Sequence, residues 1–199
     1  MNSIKQFFLF FCVIVLSFNS CKKTDELSPV KLNGEAFGTS FHITYFDENQ
    51  REFTKQIDSI FYLINKSLST YIPTSDISKI NKGDTTVVVD VFFQEVFQKS
   101  KNLYEETGGV FDPTVELLVN AWGFGPQKSF DKLDTIKIKE LLNLVGFDKV
   151  IMENGKLIKA NNNIYIGFNA IAKGFAVDVA GRFLESKNVK NYLVGKKYN

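Results

Sequence analysis

Hydrophobic and polar residues alternate along this chain with two different periods. Between Ala36 and Tyr45, alternate residues form one largely apolar side and one polar side, as expected for a strand with one buried face. From Phe53 to Leu68, apolar residues recur every three or four positions, and the same spacing returns over residues 92–104. The pattern therefore predicts a strand followed by two amphipathic helices.

Turn and cap residues divide the middle of the chain. The polar segment 75–86 is predicted to be a loop, and Val87–Val89 a short strand. Thr135 is predicted to cap a third long helix that Gly146 ends. Asn154-Gly155, between two apolar runs, is the strongest signal for a two-residue hairpin turn in the chain.

The last third of the sequence passes from an apolar run into a long helical pattern. Ile164–Ile166 is predicted to be a strand that leads directly into a helix, with Asn169 as its N-cap. Tyr192–Val194 is predicted to be a further strand. Because strands and helices mix without regular β-α-β alternation, the predicted fold class is α+β, a mixed or antiparallel sheet with packed helices.

The beginning of the chain is typical of an export signal. Residues 1–20 contain one early lysine and an apolar run too short to span a membrane as a mature helix. Cys21 follows a small residue and precedes a polar stretch, which resembles the lipobox of bacterial lipoproteins, so Cys21 is the predicted lipidation site. The alternative is an exposed thiol after an ordinary signal peptide. Residues 21–33 are predicted to be a tether, and residues 34–199 the folded domain.

Composition removes several classes of chemistry. The 199 residues include two cysteines, and Cys12 lies inside the predicted signal, so no disulfide, zinc site or cysteine nucleophile is expected in the mature domain. His42, the one histidine of the sequence, lies on the polar side of the first strand and is expected to be exposed. A formal net charge of +2 gives no reason to expect nucleic acid as a partner.

Lys173 has an unusual predicted position in the stretch Gly167–Asp178. It lies in the first turn of a helix, where the helix dipole favours anions rather than cations. A phosphate held between the helix N-terminus and this lysine would account for the position. Solvation of Lys173, or a carboxylate partner from elsewhere, would account for it equally well.

Four ordered segments of the chain form recognisable motifs. They are Glu35–Ser40; Leu68–Tyr71 together with Ser75–Asn81; Thr107–Gly125; and Ala170–Asp178. In this order they resemble the motifs of the FAD:protein FMN transferases, the ApbE-like flavin transferases, and the resemblance extends over roughly residues 34–194.

The resemblance implies an exported, membrane-attached enzyme facing the periplasm of a bacterium. Such an enzyme cleaves FAD with Mg²⁺, transfers FMN to a threonine hydroxyl of an acceptor protein and releases AMP. By position, the residues expected to contact FAD are Phe37, Tyr71, Val110, Phe111, Asp112, Gly167 and Lys173. The backbone oxygen of Ala170 is expected to help hold the magnesium ion.

A purely structural role is the alternative for several of these residues. Phe37 would then be a core residue of its strand, and Tyr71 would cap a loop. Asp112 would end a turn before Pro113.

This sequence departs from the family pattern in two places. Gly167 stands where the family usually has aspartate, so one polar contact to the flavin is expected to be missing. After Val194, the Gly-Gly strand and the later Asp-x-x-x-Thr segment of the family, which supplies further magnesium ligands, do not follow. We therefore expect an incomplete, C-terminally truncated fold. The alternative functions are a non-catalytic lipoprotein remnant with weak or no flavin binding, or a general substrate-binding lipoprotein.

Overall fold

The computed structural model describes residues 27–126 and 134–197, which form two antiparallel sheets and a set of packed helices. The larger sheet has the order β1-β2-β5, with β2 paired antiparallel to both neighbours. The smaller sheet is the hairpin of β3 and β4, which turns at Asn154-Gly155 as predicted. The strands are β1 (Val30–Ala36), β2 (Thr39–Phe46), β3 (Val150–Glu153), β4 (Lys156–Lys159) and β5 (Asn191–Lys197).

Helices occupy most of the chain between these strands. The α-helices are α1 (Thr54–Leu68), α2 (Asp76–Asn81), α3 (Val91–Glu106), α4 (Glu116–Ala121), α5 (Thr135–Leu142) and α6 (Asn169–Ser186). Short 3-10 turns lie at Pro113–Val115, directly before α4, and at Phe147–Lys149, directly before β3. Within residues 27–126 and 134–197, none of the helices combines the length and apolar character needed to cross a bilayer.

The core lies between one face of the larger sheet and helices α1 and α6. Phe41, Ile43 and Tyr45 alternate along β2 and are all buried, whereas His42 between them is exposed, as predicted. The ring of Phe41 packs edge-on against Phe61 of α1, with ring centroids 5.0 Å apart. The period-two pattern thus places one apolar face of β2 on the helices. The predicted α+β class with an antiparallel sheet and packed helices is confirmed.

The first strand differs from the prediction in its start and in its continuity. The predicted single strand is interrupted by a turn at Phe37-Gly38, where φ is 56° and 69°. A separate strand, β1, precedes this turn and begins at Val30. The predicted tether over 21–33 therefore extends too far, since Leu32 is already buried in the core. Residues 30–36 show little alternation of apolar and polar residues. They form a strand because their backbone groups hydrogen-bond to β2.

Other predicted elements are shifted or replaced. The predicted loop 75–86 contains helix α2, whose N-cap Ser75 accepts a hydrogen bond from the Ser78 N–H (3.2 Å). Asp134, rather than Thr135, caps α5, which ends at Leu142.

Two predicted strands are irregular segments instead. Val87–Val89 makes a backbone contact with the hairpin, from the Val89 N–H to the Gly155 carbonyl (2.8 Å). Ile164–Ile166 is buried, and the side chain of Asn81 replaces a neighbouring strand there: it accepts from the Ile166 N–H (2.9 Å) and donates to the Ile166 carbonyl (2.8 Å). The predicted signal peptide, residues 1–20, and Cys21 lie outside the described residues.

Candidate functional site

An open cavity of about 610 Å³ lies where three separate parts of the chain meet. These parts are the tip of the β1–β2 hairpin, the end of α1 with the loop that follows it, and the first turns of α6. Its lining residues are Phe37, Gly38, Asn65, Leu68, Ser69, Tyr71, Ile72, Asn169, Ala172 and Lys173. Of the predicted contact residues, Phe37, Tyr71 and Lys173 therefore line the same cavity.

Phe37 occupies a strained backbone position at the hairpin tip. Its φ of 56° is uncommon for a residue other than glycine, asparagine or aspartate. Two consecutive positive φ values suit the tight two-residue turns that match the twist of antiparallel strands. The ring of Phe37 packs edge-on against Phe61 at 5.6 Å and also forms part of the cavity wall. The turn thus places an aromatic surface at the cavity.

Serine hydroxyl groups hold the loop that carries Tyr71. The Ser75 hydroxyl donates to the Ser69 carbonyl (2.6 Å), and the Ser78 hydroxyl donates to the same oxygen (3.3 Å). Both serines belong to the capped first turn of α2. This helix therefore holds the loop in place through two hydrogen bonds to the Ser69 carbonyl. Tyr71 itself is 62% exposed and lines the cavity. An exposed aromatic ring on a fixed loop is suited to stacking on a flat ligand.

Lys173 supplies the positive charge of the cavity. It is the one charged residue among those that line the cavity, and its side chain is half-buried in the second turn of α6. Within the parts of the chain that the structure describes, no hydrogen-bond or ion-pair partner is recorded for its ammonium group. Of the three explanations given for the position of Lys173, a carboxylate partner thus finds no support among the described residues, whereas solvation and a bound anion both fit its surroundings.

Asn169 has a different role from the predicted one. Phe168 occupies the N-cap position of α6 and makes no side-chain cap, while Asn169 is the first helical residue. The Asn169 amide nitrogen donates instead to Glu116 Oε1 (2.5 Å) and lies 3.1 Å from Thr70 Oγ1. Asn169 therefore links α6 to α4 and to the loop after α1.

Glu116 is a buried carboxylate that no pattern in the sequence singles out. Its side chain is only 9% exposed, and burial raises the pKa of this carboxyl, an effect that the hydrogen bond from Asn169 partly opposes. Burial likewise raises the pKa of the neighbouring Tyr165 hydroxyl. A carboxylate is rarely buried without a specific partner, and here that partner is a residue of the cavity wall.

Gly167 lies behind the cavity wall and is packed against Glu116. Its N–H donates to the Pro113 carbonyl (3.0 Å), which fixes the chain just before α6. A Cβ atom at this position would lie 2.5 Å from Glu116 Cγ and 2.8 Å from Glu116 Cδ. Only glycine fits here while Glu116 keeps its position.

The predicted contact residues Val110, Phe111 and Asp112 lie outside the cavity lining. Val110 is 90% exposed. The Asp112 carboxylate accepts from the Thr114 N–H (2.8 Å) and the Thr114 hydroxyl (2.6 Å), and so caps the 3-10 turn before α4. Asp112 thus begins the turn that follows it, a structural role different from the turn-ending one considered from the sequence, and its predicted contact with FAD stays a prediction.

The magnesium ligand predicted from the resemblance, the backbone oxygen of Ala170, belongs to the first turn of α6. Ala170 is exposed in the first turn of α6 and offers one backbone oxygen, whereas Mg²⁺ requires six oxygen ligands in octahedral geometry. Across residues 27–126 and 134–197, no three histidine, cysteine, aspartate or glutamate side chains come close enough to hold a metal ion. The predicted role of Ala170 stays a prediction.

Comparison with known proteins assigns the chain to a family. The sequence matches the ApbE family over residues 37–196. It is 33% identical over 194 residues to a FAD:protein FMN transferase of Haemophilus influenzae, a match that covers 91% of this chain and 56% of that protein. A FAD:protein FMN transferase of Vibrio cholerae is 31% identical over 184 residues, covering 87% of this chain and 54% of that protein.

Solved structures show the same fold. The flavin transferase ApbE from Vibrio cholerae superposes with a TM-score of 0.78 at 29% identity, covering 84% of this chain and 57% of that one. The ApbE protein from Thermotoga maritima gives a TM-score of 0.71 at 27% identity, covering 84% and 57%. This chain spans about half the length of the curated relatives that it matches. By sequence and by fold, it belongs to the ApbE family.

Proposed function

We propose that this chain binds FAD in the cavity and acts as a FAD:protein FMN transferase. The observation that carries the proposal is that Phe37, Tyr71 and Lys173 line the same cavity. Two aromatic rings and one cation suit a ligand that joins flat rings through a pyrophosphate. The names of the similar proteins, FAD:protein FMN transferase, support the same ligand.

The proposed reaction transfers a phosphoryl-linked flavin. The hydroxyl oxygen of an acceptor threonine forms a bond to the phosphorus of the FMN half of FAD. The bond from that phosphorus to the bridging oxygen breaks, AMP leaves with that oxygen, and the hydroxyl proton is lost to the solvent. In this reaction the Lys173 ammonium would lie near the pyrophosphate and stabilise its negative charge, which is how cations assist such transfers.

In this proposal, Mg²⁺ is an ion that binds from solution together with FAD. The described residues contribute one candidate ligand, the Ala170 carbonyl, so the chain alone is expected to bind Mg²⁺ weakly. Calorimetric titration with MgCl₂, with and without saturating FAD, measures this affinity. Tight binding in the absence of FAD would show that additional ligands exist.

The activity test uses the full chain, FAD, MgCl₂ and a threonine-containing acceptor peptide. Transfer adds the mass of FMN to the peptide and releases AMP, and both products can be followed by mass spectrometry. A peptide with valine in place of threonine is the matched control. Binding of FAD without any transfer would favour the alternative, a non-catalytic flavin-binding lipoprotein.

We also propose that the protein is exported and held on the periplasmic side of a bacterial membrane by lipid on Cys21. The support is the order of charge, apolar run and cysteine over residues 1–21. Labelling cells with an alkyne fatty acid should mark the wild type and leave Cys21→Ser unmarked. The variant should also leave the membrane fraction. Equal labelling of both proteins would contradict the proposal.

A further inference from the structure

The buried carboxyl group of Glu116 contacts a residue that lines the cavity. Glu116 begins α4, but its side chain does not cap that helix or pair with a described lysine or arginine. It reaches instead to Asn169, which lines the cavity, with 2.5 Å between Glu116 Oε1 and Asn169 Nδ2. A buried carboxylate with one polar partner on a cavity wall is placed to orient that partner.

The direction of this hydrogen bond fixes the orientation of the Asn169 amide. The Asn169 amide nitrogen donates to Glu116 Oε1, so the nitrogen rather than the amide oxygen faces the carboxyl group. The Thr70 hydroxyl oxygen lies 3.1 Å from Asn169 Nδ2 and 3.5 Å from Asn169 Oδ1, so its closer contact is also with the nitrogen. Both amide hydrogens are then used within the protein. What Asn169 can offer to a ligand is its carbonyl oxygen.

The side chain of Glu116 also occupies the space that a side chain at position 167 would need. A Cβ atom on Gly167 would meet three atoms of the Glu116 side chain at 2.5, 2.8 and 3.0 Å. A carboxylate on residue 167 and one on residue 116 therefore exclude each other. In this chain the carboxylate at this place comes from α4 and not from the segment that leads into α6.

We propose that Glu116 is a positioning residue that holds the Asn169 carbonyl oxygen ready to accept an N–H group from a ring of the bound nucleotide. The proposal rests on the proposed function, since it takes FAD as the ligand. FAD carries two N–H donors of this kind, the imide of the isoalloxazine ring and the amino group of adenine. Both present the same chemistry to Asn169.

The first test is Glu116→Gln, which keeps the shape of the side chain and adds a donor. The glutamine amide can donate to Asn169 Oδ1, which turns the Asn169 amide and presents an N–H to the ligand. We expect the dissociation constant for FAD, followed by flavin fluorescence, to rise about 10-fold, the effect of one lost hydrogen bond in a buried site. The exposed Glu105→Gln at the end of α3 is the matched control and should bind FAD like the wild type.

Two analogues of FAD identify the donor. One carries a methyl group on the imide nitrogen, and the other has unsubstituted purine in place of adenine and so lacks the amino group. The analogue that lacks the contacted N–H should bind the wild type and Glu116→Gln with equal affinity, whereas the other analogue should bind the variant more weakly. A merely structural role for Glu116 would weaken the binding of both analogues alike. Equal binding of FAD itself by both proteins would overturn the inference alone. Failure of the wild type to bind FAD would overturn the proposed function and the inference together.

A second pair of variants tests the shared space. Gly167→Asp alone should lose FAD binding, because its Cβ collides with Glu116. Combining it with Glu116→Gly removes the collision and places a carboxylate in the same region, so FAD affinity should return to within about threefold of the wild type, which leaves less than about 1 kcal/mol between them. Melting temperatures establish that each variant is folded. A folded double variant that binds FAD no better than Gly167→Asp would contradict the proposal.

Discussion

At the scale of single residues, the site combines a strained backbone with an aromatic side chain. Phe37 holds a positive φ of 56° at the hairpin tip, a conformation that asparagine or glycine adopts at lower cost. Strain of this kind, about 1–3 kcal/mol, persists where the surroundings fix it and is often found at functional sites. Phe37 therefore occupies a backbone conformation that phenylalanine rarely adopts.

Replacing Phe37 by asparagine separates a binding role from a core role. Relief of the strained φ offsets the loss of the edge contact with Phe61, worth about 0.5–1.5 kcal/mol. We expect the free energy of unfolding to change by less than about 1 kcal/mol, while FAD affinity falls several-fold. Urea titration and flavin fluorescence measure the two quantities. A large loss of stability with unchanged FAD affinity would assign Phe37 to the core.

Lys173 tests the anion-binding part of the site. Removing a cation that contacts a phosphate costs about 1.5–3 kcal/mol, so Lys173→Ala should weaken FAD binding by at least about 10-fold. Riboflavin, which lacks phosphate, should bind the variant and the wild type alike. Lys55→Ala on the exposed side of α1 is the matched control. Equal losses for FAD and riboflavin would show that Lys173 acts through packing instead of charge.

At the scale of elements, helix α2 provides hydrogen-bond partners for the backbone of the buried segment 164–166, which is not paired with a strand. Asn81, the last residue of α2, satisfies both polar groups of the buried Ile166 with its side-chain amide. The segment leading into α6, and with it Asn169 and Lys173, therefore depends on a side chain from a distant helix. A buried backbone group without a partner costs about 1–3 kcal/mol.

The variant Asn81→Ala should consequently affect both stability and binding. We expect a loss of about 2 kcal/mol in the free energy of unfolding, which lowers the melting temperature by about 4–8 °C in a chain of this size. FAD affinity should fall as well, because the start of α6 loses its support. Differential scanning calorimetry and FAD titration check this. Asn102→Ala, on the exposed side of α3, should change neither value.

Local patterns in the sequence predicted the elements better than the connections between them. The helical spacing of α1 and α3 and the Asn154-Gly155 hairpin follow from short-range chemistry and were predicted. Asn169 was expected to cap its own helix, because nothing nearby indicates that Glu116, 53 positions earlier in the chain, is its partner. Ser75 was an available cap signal for α2 that the polar composition of 75–86 concealed. Phe37 and Tyr71 were chosen by family resemblance, and Lys173 first by its place near a helix N-terminus. Only the tertiary structure places the three in one cavity.

At the scale of the whole molecule, one ion pair ties the larger sheet to the end of α6. Asp47 follows β2 and is buried, and its carboxylate accepts from the Arg51 guanidinium and from the Arg51 backbone N–H (2.8 Å). Arg51 Nη2 also donates to the Lys187 carbonyl (2.9 Å) at the C-terminal end of α6. The hydrogen bond from Arg51 lowers the pKa of Asp47 to about 2.

This lowered pKa predicts how stability responds to acid. A carboxylate whose pKa is lower in the folded state stabilises the fold above its unfolded pKa of about 4 and loses that contribution as the pH falls toward about 2. Urea unfolding at pH 5, 3 and 2 should show this loss in the wild type. Asp47→Asn should be less stable at pH 5 and should depend less on pH below 4. Asp58→Asn, exposed on α1, should follow the wild-type dependence.

The cavity has walls from three separate parts of the chain, so it exists only when the chain is folded. A ligand that binds the folded chain alone raises the free energy of unfolding, by about 2.7 kcal/mol at a concentration 100 times its dissociation constant. Under the proposed function, FAD would thus lengthen the lifetime of the protein against proteases. The amount of this protein in a cell would then rise and fall with the supply of its own substrate.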